Sequence, residues 1–327
     1  MLIDEANLKV AGIDEANLTA ELAVRVGQRR RQLALRQSNS LLRYDRHVER
    51  RKLTEKFLLP ALAPMSHDAR EFETLCTRAR EEARRAFQQQ KSALVADMPS
   101  IGAALRARLA ARRQVAGAAA PQFNFNFVVL DTPALILPTS GISLDAWHKE
   151  PWNNTARLSG VWTSPNSENG WDDLDFVFVW RNPASTYAVV NVESYLALNG
   201  FCAAWADGGV APENWAGFGL NASLDVFEWW NQPPTVPPAQ STQDQLLNTT
   251  HAVADGFFDP GDYESAAIAG NYDVSYREFI LPPQGVAVFS VSFGILHEIY
   301  GHGGLELDFS SGDFEVVCPA VVIAILS

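Results

Sequence analysis

Two hydrophobic periods share this chain, and the change between them falls near residue 120. Before it, apolar residues recur at three- and four-residue steps. Leu18, Leu22, Val26, Leu33, Leu41, Tyr44, Val48 and Leu59 form one series, and Phe72, Leu75, Ala79, Ala83, Ala86 and Leu94 a second. That spacing predicts helix over 14–116 with a single apolar stripe, broken at Pro60–Ser66 and Asp97–Ser100. Ser66 suits a cap, because its hydroxyl can accept a hydrogen bond from a free N–H of the first turn. Two long helices joined by a Pro-containing turn predict an antiparallel helical hairpin or coiled coil. A narrow Ala/Leu stripe buries little alone, so this segment is expected to associate with another surface.

After residue 120 the period falls to two. Phe123-Asn-Phe-Asn-Phe127 alternates, as does Phe218–Val226 against Asn221, Ser223 and Asp225. Phe289, Val291, Phe293, Ile295 and Ile299 oppose Ser290, Ser292 and Glu298. Phe176–Trp180 is apolar on both faces, the pattern of a central strand. Further strands fit Tyr187–Leu198, Tyr272–Leu281, Leu305–Phe309, Phe314–Cys318 and Ala320–Leu326. The stretch from Asn231 to Gly270 lacks the alternation and reads as a long loop, with room for a short helix near Gln243–Val253. The predicted fold is thus α+β and multidomain: a helical hairpin or coiled coil over 1–120, then an all-β antiparallel sandwich of jelly-roll type over 121–327.

Charge divides at the same point. Residues 1–120 hold 22 of the 26 Lys+Arg against 14 acids, a formal +8, and residues 121–327 hold the remaining 4 against 24 acids, a formal −20. All nine Trp follow residue 146. The basic clusters Arg29-Arg30-Arg31 and Arg50-Arg51-Lys52 suit docking to an acidic surface. Nucleic acid is a possible but less favoured partner, because acids interleave with these cations and stacking aromatics are scarce. The acidic half offers the basic half its own countercharge. Three distant cysteines exclude a disulfide framework or zinc knuckle. No secretory signal or membrane-length apolar run is present, so a cytoplasmic protein is the default expectation, with signal-independent export left open.

The hexapeptide Ile3-Asp-Glu-Ala-Asn-Leu8 recurs as Ile13–Leu18. It reads either as a local duplication or as a docking peptide presented twice, with Ile and Leu as anchors. Candidate chemistry is sparse. His297-Glu298-Ile299-Tyr300-Gly301-His302 resembles HExxH, but its histidines stand five apart, and zinc needs four on one helix face. His297 continues an inward row and reads as a core histidine. Asn166–Asp175 reads as an acidic loop, where Glu168, Asp172, Asp173 and Asp175 are candidate Ca²⁺ ligands, calcium being the one ion suggested and no cofactor otherwise expected. Trp171, Trp229 and Trp230 are candidate binding-surface aromatics. No nucleophile elbow, phosphate loop or dinucleotide fingerprint appears. The expected function is a non-enzymatic assembly or binding protein, with the helices mediating oligomerisation or docking to a protein partner. The alternatives are a capsid-like nucleic-acid packager and a lectin-like glycan-binding module.

Overall fold

The computed structural model describes residues 2–3, 13–14, 16–25, 66–118, 126–164, 167–210, 212–229, 245–255 and 258–326. Two antiparallel sheets face one another. Sheet A runs in the order β1 (Leu2–Ile3), β3 (Leu135–Pro138), β6 (Ser167–Arg181), β11 (Val286–Tyr300), β8 (Asn214–Trp229) and β9 (Gln245–Ala254). Sheet B is built around the 22-residue β7 (Ala188–Gly209). Along one side of β7 lies β10 (Asp259–Leu281). Along the other lie β12 (Gly303–Phe309), β13 (Glu315–Val317) and β14 (Val321–Leu326) in succession. Beyond these, β5 (Thr155–Ser164) and β4 (Ser143–His148) extend one end of the sheet, and β2 (Asn126–Leu130) extends the other.

Period-two alternation becomes layering here. Phe218, Leu220, Ala222, Leu224 and Val226 of β8 enter one core with Phe289, Val291, Phe293 and Ile295 of β11. From sheet B they meet Val190, Val192, Leu196, Leu198 and Cys202 of β7 and Phe309 of β12. The sandwich interior is this shared core, and its burial supplies the main driving force for the fold. Phe176–Trp180 is apolar on both faces because its outward residues are covered as well. Val177 and Val179 lie in a second cluster with Val286, Val288 and Phe227.

That second cluster corrects the helical expectation. The described N-terminal residues form no hairpin or coiled coil. Leu2–Ile3 is a strand paired with β3. Helix α1, residues 16–25, lies on the outer face of sheet A and inserts Leu18 and Leu22 into the second cluster, joined by Ile13. Asp14 caps α1 by accepting from Ala16 N–H at 3.0 Å. The second copy of the duplicated hexapeptide therefore docks through Ile13 and Leu18 onto its own chain.

Helix α2 (Ser66–Ala118) begins at the predicted cap and runs unbroken through Asp97–Ser100, where a break was expected. Its described contacts are with sheet B, not with another helix. Phe87 packs on Phe201, Ala203 and Phe314, with Leu94, Val95 and Tyr263 alongside. The period of 3.6 reports that a helix has an apolar stripe; it does not report whether the stripe meets a helix or a sheet.

Charge joins α2 to the sandwich. Arg80 Nε lies 2.9 Å from Asp207 Oδ1, and Lys91 Nζ lies 2.9 Å from Glu306 Oε1 and also contacts Asp308. The basic segment thus meets the acidic one inside a single chain. The three cysteines are free and buried, and burial pushes the Cys318 thiol up to about 12, against a smaller opposing effect from Ser194. No helix among the described residues is long and apolar enough to cross a membrane.

Two other expectations change. The acidic segment expected as a loop is part of the 15-residue strand β6. The stretch expected as a loop after Asn231 contains β9 and the start of β10, with residues 230–244 outside the described set. Helix near Gln243–Val253 is replaced by strand. The reason lies at the sheet edge. Asp262 and Glu264 of β10 accept from Val253 N–H and His251 N–H of β9, both at 2.9 Å. Carboxylates on one sheet thereby satisfy edge amides of the other, so β9 holds as a strand without a strict alternation to mark it.

Candidate functional site

Alternation along β6 divides the predicted calcium ligands. Asp172 lies in phase with the inward Leu174 and Phe176, whereas Asp173 and Asp175 are in phase with the outward Val177. The side chain of Glu168 is outside the described set. Among the described residues no three His, Cys, Asp or Glu side chains gather as a metal site. Residues two apart on one strand stand about 7 Å apart along it, so the carboxylates do not converge on one cation.

Asp172 instead belongs to a buried polar node at one end of the core. It accepts from Thr139 Oγ1 at 2.6 Å and Gly141 N–H at 3.0 Å, and it bonds His297 Nε2 at 3.2 Å. His297 stacks on Trp162 of the opposite sheet, with ring centroids 4.8 Å apart. Burial raises the Asp172 carboxyl. The bonds from His297 and Thr139, the charge of His297 and the Gly141 N–H outweigh it, and the net shift is downward. The polar bonds tie β6 and β11 of sheet A to the segment after β3, and the His297–Trp162 stack is the contact that reaches sheet B. His302 lies beyond the turn at Gly301, exposed, and the two histidines share no site.

The outer face of sheet A carries the richer constellation. Register aligns its rows. Val177, Ser290 and Asp225 form one, Asp175, Ser292 and Ser223 the next, and Asp173, Gly294 and Asn221 the third. Asp175 Oδ1 accepts from the hydroxyls of Ser290 and Ser292. Asp173 Oδ1 accepts from the Trp171 indole N–H.

Two indoles lie over glycines on this face. A Cβ on Gly294 would stand 2.3 Å from Trp171 Cζ2, and one on Gly217 would stand 2.8 Å from Trp215 Cζ2. Only glycine leaves room for each ring to lie against the sheet. Trp215 also stacks on Tyr300, with centroids 5.3 Å apart and planes 29° from parallel. The two glycines sit on adjacent strands four register positions apart, so the platforms are roughly 14 Å apart. Trp171 and Tyr300 are buried, Trp215 and Asn221 half-buried, and Asn169 and His251 exposed. The accessible end is therefore at Trp215.

Sequence reasoning counts Trp171 and Trp215 among the tryptophans that could stack a sugar but singles out Trp171, not Trp215, and it does not mark Tyr300, Asn221 or the two glycines. A glycine inside an alternating strand was the available signal, because it marks close approach by another group. Trp229 joins the apolar cluster beneath α1 and takes no part in the polar band. Trp230 and the basic docking residues Arg29, Arg30, Arg31, Arg50, Arg51 and Lys52 lie outside the described residues. Arg25 is one described cation beside this face; its guanidinium sits 3.8 Å over the Phe227 ring and pairs with Glu21 at 3.0 Å.

No family model and no curated protein matches the chain. Weak likenesses occur among solved structures. The β-(1,4)-mannanase of Podospora anserina aligns at 10% identity and a TM-score of 0.20, over 62% of this chain and 28% of the enzyme. A carbohydrate-binding module with specific mannan recognition aligns at 11% identity and 0.22, over 62% of this chain and 96% of the module. A family 35 carbohydrate-binding module from Clostridium thermocellum aligns at 11% and 0.16, over 61% and 97%. TM-scores near 0.2 establish neither a shared fold nor a shared site, so the functional reading rests on the geometry of the face itself.

Proposed function

We propose that this chain is a non-enzymatic glycan-binding protein that uses the outer face of sheet A. The observation that carries the reading is the half-buried Trp215 platform over Gly217, stacked on Tyr300, with the half-buried Asn221 farther along the same strand. Sugars present apolar C–H faces that stack on aromatic rings and equatorial hydroxyls that bond amides and carboxylates. Trp171 is buried, so the sugar stacks on Trp215; Asn221 stands six residues along the same strand, roughly 20 Å away, so the ligand class is an extended oligosaccharide rather than a single hexose.

Titration calorimetry of the full chain against a panel of soluble β-linked and α-linked oligosaccharides tests this, with tryptophan fluorescence as a second readout. Binding is expected for chains and not for the matching monosaccharides. Trp215→Ala should lower affinity at least about tenfold, with circular dichroism confirming that the variant is folded at the assay temperature. Absence of binding across the panel, or equal affinity for wild type and Trp215→Ala, would overturn the proposal.

A further inference from the structure

Gly217 of β8 is a point of convergence on the outer face of sheet A. It pairs with His251 of β9 on one side and with Glu298 of β11 on the other. A Cβ placed on Gly217 would stand 2.8 Å from Trp215 Cζ2 and 3.3 Å from His251 Cβ. The edge of the indole and the root of the imidazole side chain therefore lie within about 6 Å of each other, the spacing of neighbours on one sheet face.

Alternation decides which way His251 points. Thr250, Ala252 and Ala254 are buried, and the two alanines belong to the core between the sheets. His251 and Val253 therefore stand on the outer face with Trp215. His251 is exposed and Trp215 half-buried, so a solvent-facing imidazole borders the accessible part of the indole. Its height on the face is set from the opposite sheet. Glu264 Oε2 of β10 accepts from His251 N–H at 2.9 Å, and Asp262 Oδ2 accepts from Val253 N–H at 2.9 Å. These bonds engage the backbone of β9, so the imidazole is not needed to hold the strand.

We infer that His251 is the polar contact of the Trp215 site, bonding a hydroxyl of the same sugar ring that stacks on the indole; this rests on the glycan reading above. A neutral imidazole carries one N–H donor and one bare nitrogen acceptor, and a sugar hydroxyl both donates and accepts. A sugar lying flat on an aromatic ring points its equatorial hydroxyls outward from its edge, which is where a side chain rooted about 6 Å from the indole meets them. The stacked ring also shields that bond from water on one side, so it is worth more than the same bond in bulk solvent. Stacking alone leaves a sugar free to rotate over the indole. One directional bond beside the platform fixes its orientation, and with it the direction in which the oligosaccharide runs along the sheet.

Titration calorimetry of the full chain with cellohexaose, mannohexaose and maltohexaose is the test. For whichever of these binds the wild type, His251→Ala should lower affinity about three- to tenfold, the worth of one hydrogen bond. His251→Asn keeps a donor and an acceptor and should recover part of that loss, whereas His251→Phe keeps a ring without them and should recover none. Circular dichroism and melting curves confirm that each variant is folded. Wild-type affinity in His251→Ala, alongside weakened binding in Trp215→Ala, overturns the inference and leaves the glycan reading standing. Equal losses in His251→Asn and His251→Ala overturn it as well. A wild-type chain that binds none of the three sugars overturns both.

Discussion

Replacing Asp172 with alanine probes the buried polar clamp that ties β6 and β11 of sheet A to the segment after β3. The substitution leaves the Gly141 N–H and the His297 Nε2–H without their acceptor in a site where Asp172 is 4% and His297 5% exposed. The Thr139 hydroxyl keeps the bond it accepts from Asp173 N–H at 2.9 Å, but its own O–H loses its acceptor. Each stranded buried donor costs about 1–3 kcal/mol, and removal of one partner from a buried charged network about 3–5 kcal/mol. Asp172→Ala is therefore expected to lose about 3–5 kcal/mol in urea unfolding at pH 7. Asp172→Asn keeps the volume and two acceptor lone pairs and should lose about 1–3 kcal/mol.

The pH profile separates a charge effect from a packing effect. The Asp172 carboxyl is held below its usual range, so its stabilisation is complete above the unfolded-state value of about 3.9. It is lost as pH falls through the folded-state value. The difference between wild type and Asp172→Asn should accordingly narrow below about pH 4. A loss below about 1 kcal/mol in Asp172→Ala, with an unchanged urea slope, would refute the clamp.

Two further outcomes are expected. Lys91→Ala removes the cation shared by Glu306 and Asp308, and hydrogen exchange in the span 72–95 of α2 should accelerate while that of the sandwich core stays unchanged; the wild-type helix should show the same loosening as salt rises. The double substitution Asp262→Ala, Glu264→Ala uncovers the His251 and Val253 amides, so their exchange should accelerate and the variant should aggregate at lower concentration than wild type.

The order of periods along the chain determined much of the architecture. Phe289 to Ile299 against Ser290 to Glu298 names a strand and its buried face without reference to any partner, because the β backbone sends successive side chains to opposite sides. His297 was legible in the same way, as one more member of an inward row. The charge change at residue 120 falls between the end of α2 at Ala118 and the start of β2 at Asn126, while Leu2–Ile3, on its basic side, is a strand of sheet A.

Pairing was beyond the reach of those local patterns. Whether the stripe bearing Leu18 and Leu22 met a helix or the Val177–Val288–Phe227 face of a sheet depended on which apolar surface lay nearest in space. The acidic stretch of β6 read as a loop because its polar outward residues break the apolar run. Only the neighbouring serines of β11 turn those carboxylates into strand positions. The aromatic platforms have the same origin. Gly217 and Gly294 are gaps in the sequence pattern, and tertiary register alone places Trp215 and Trp171 over them. A local period fixes the direction in which a side chain points; what it meets there is decided by chain segments tens to hundreds of residues away.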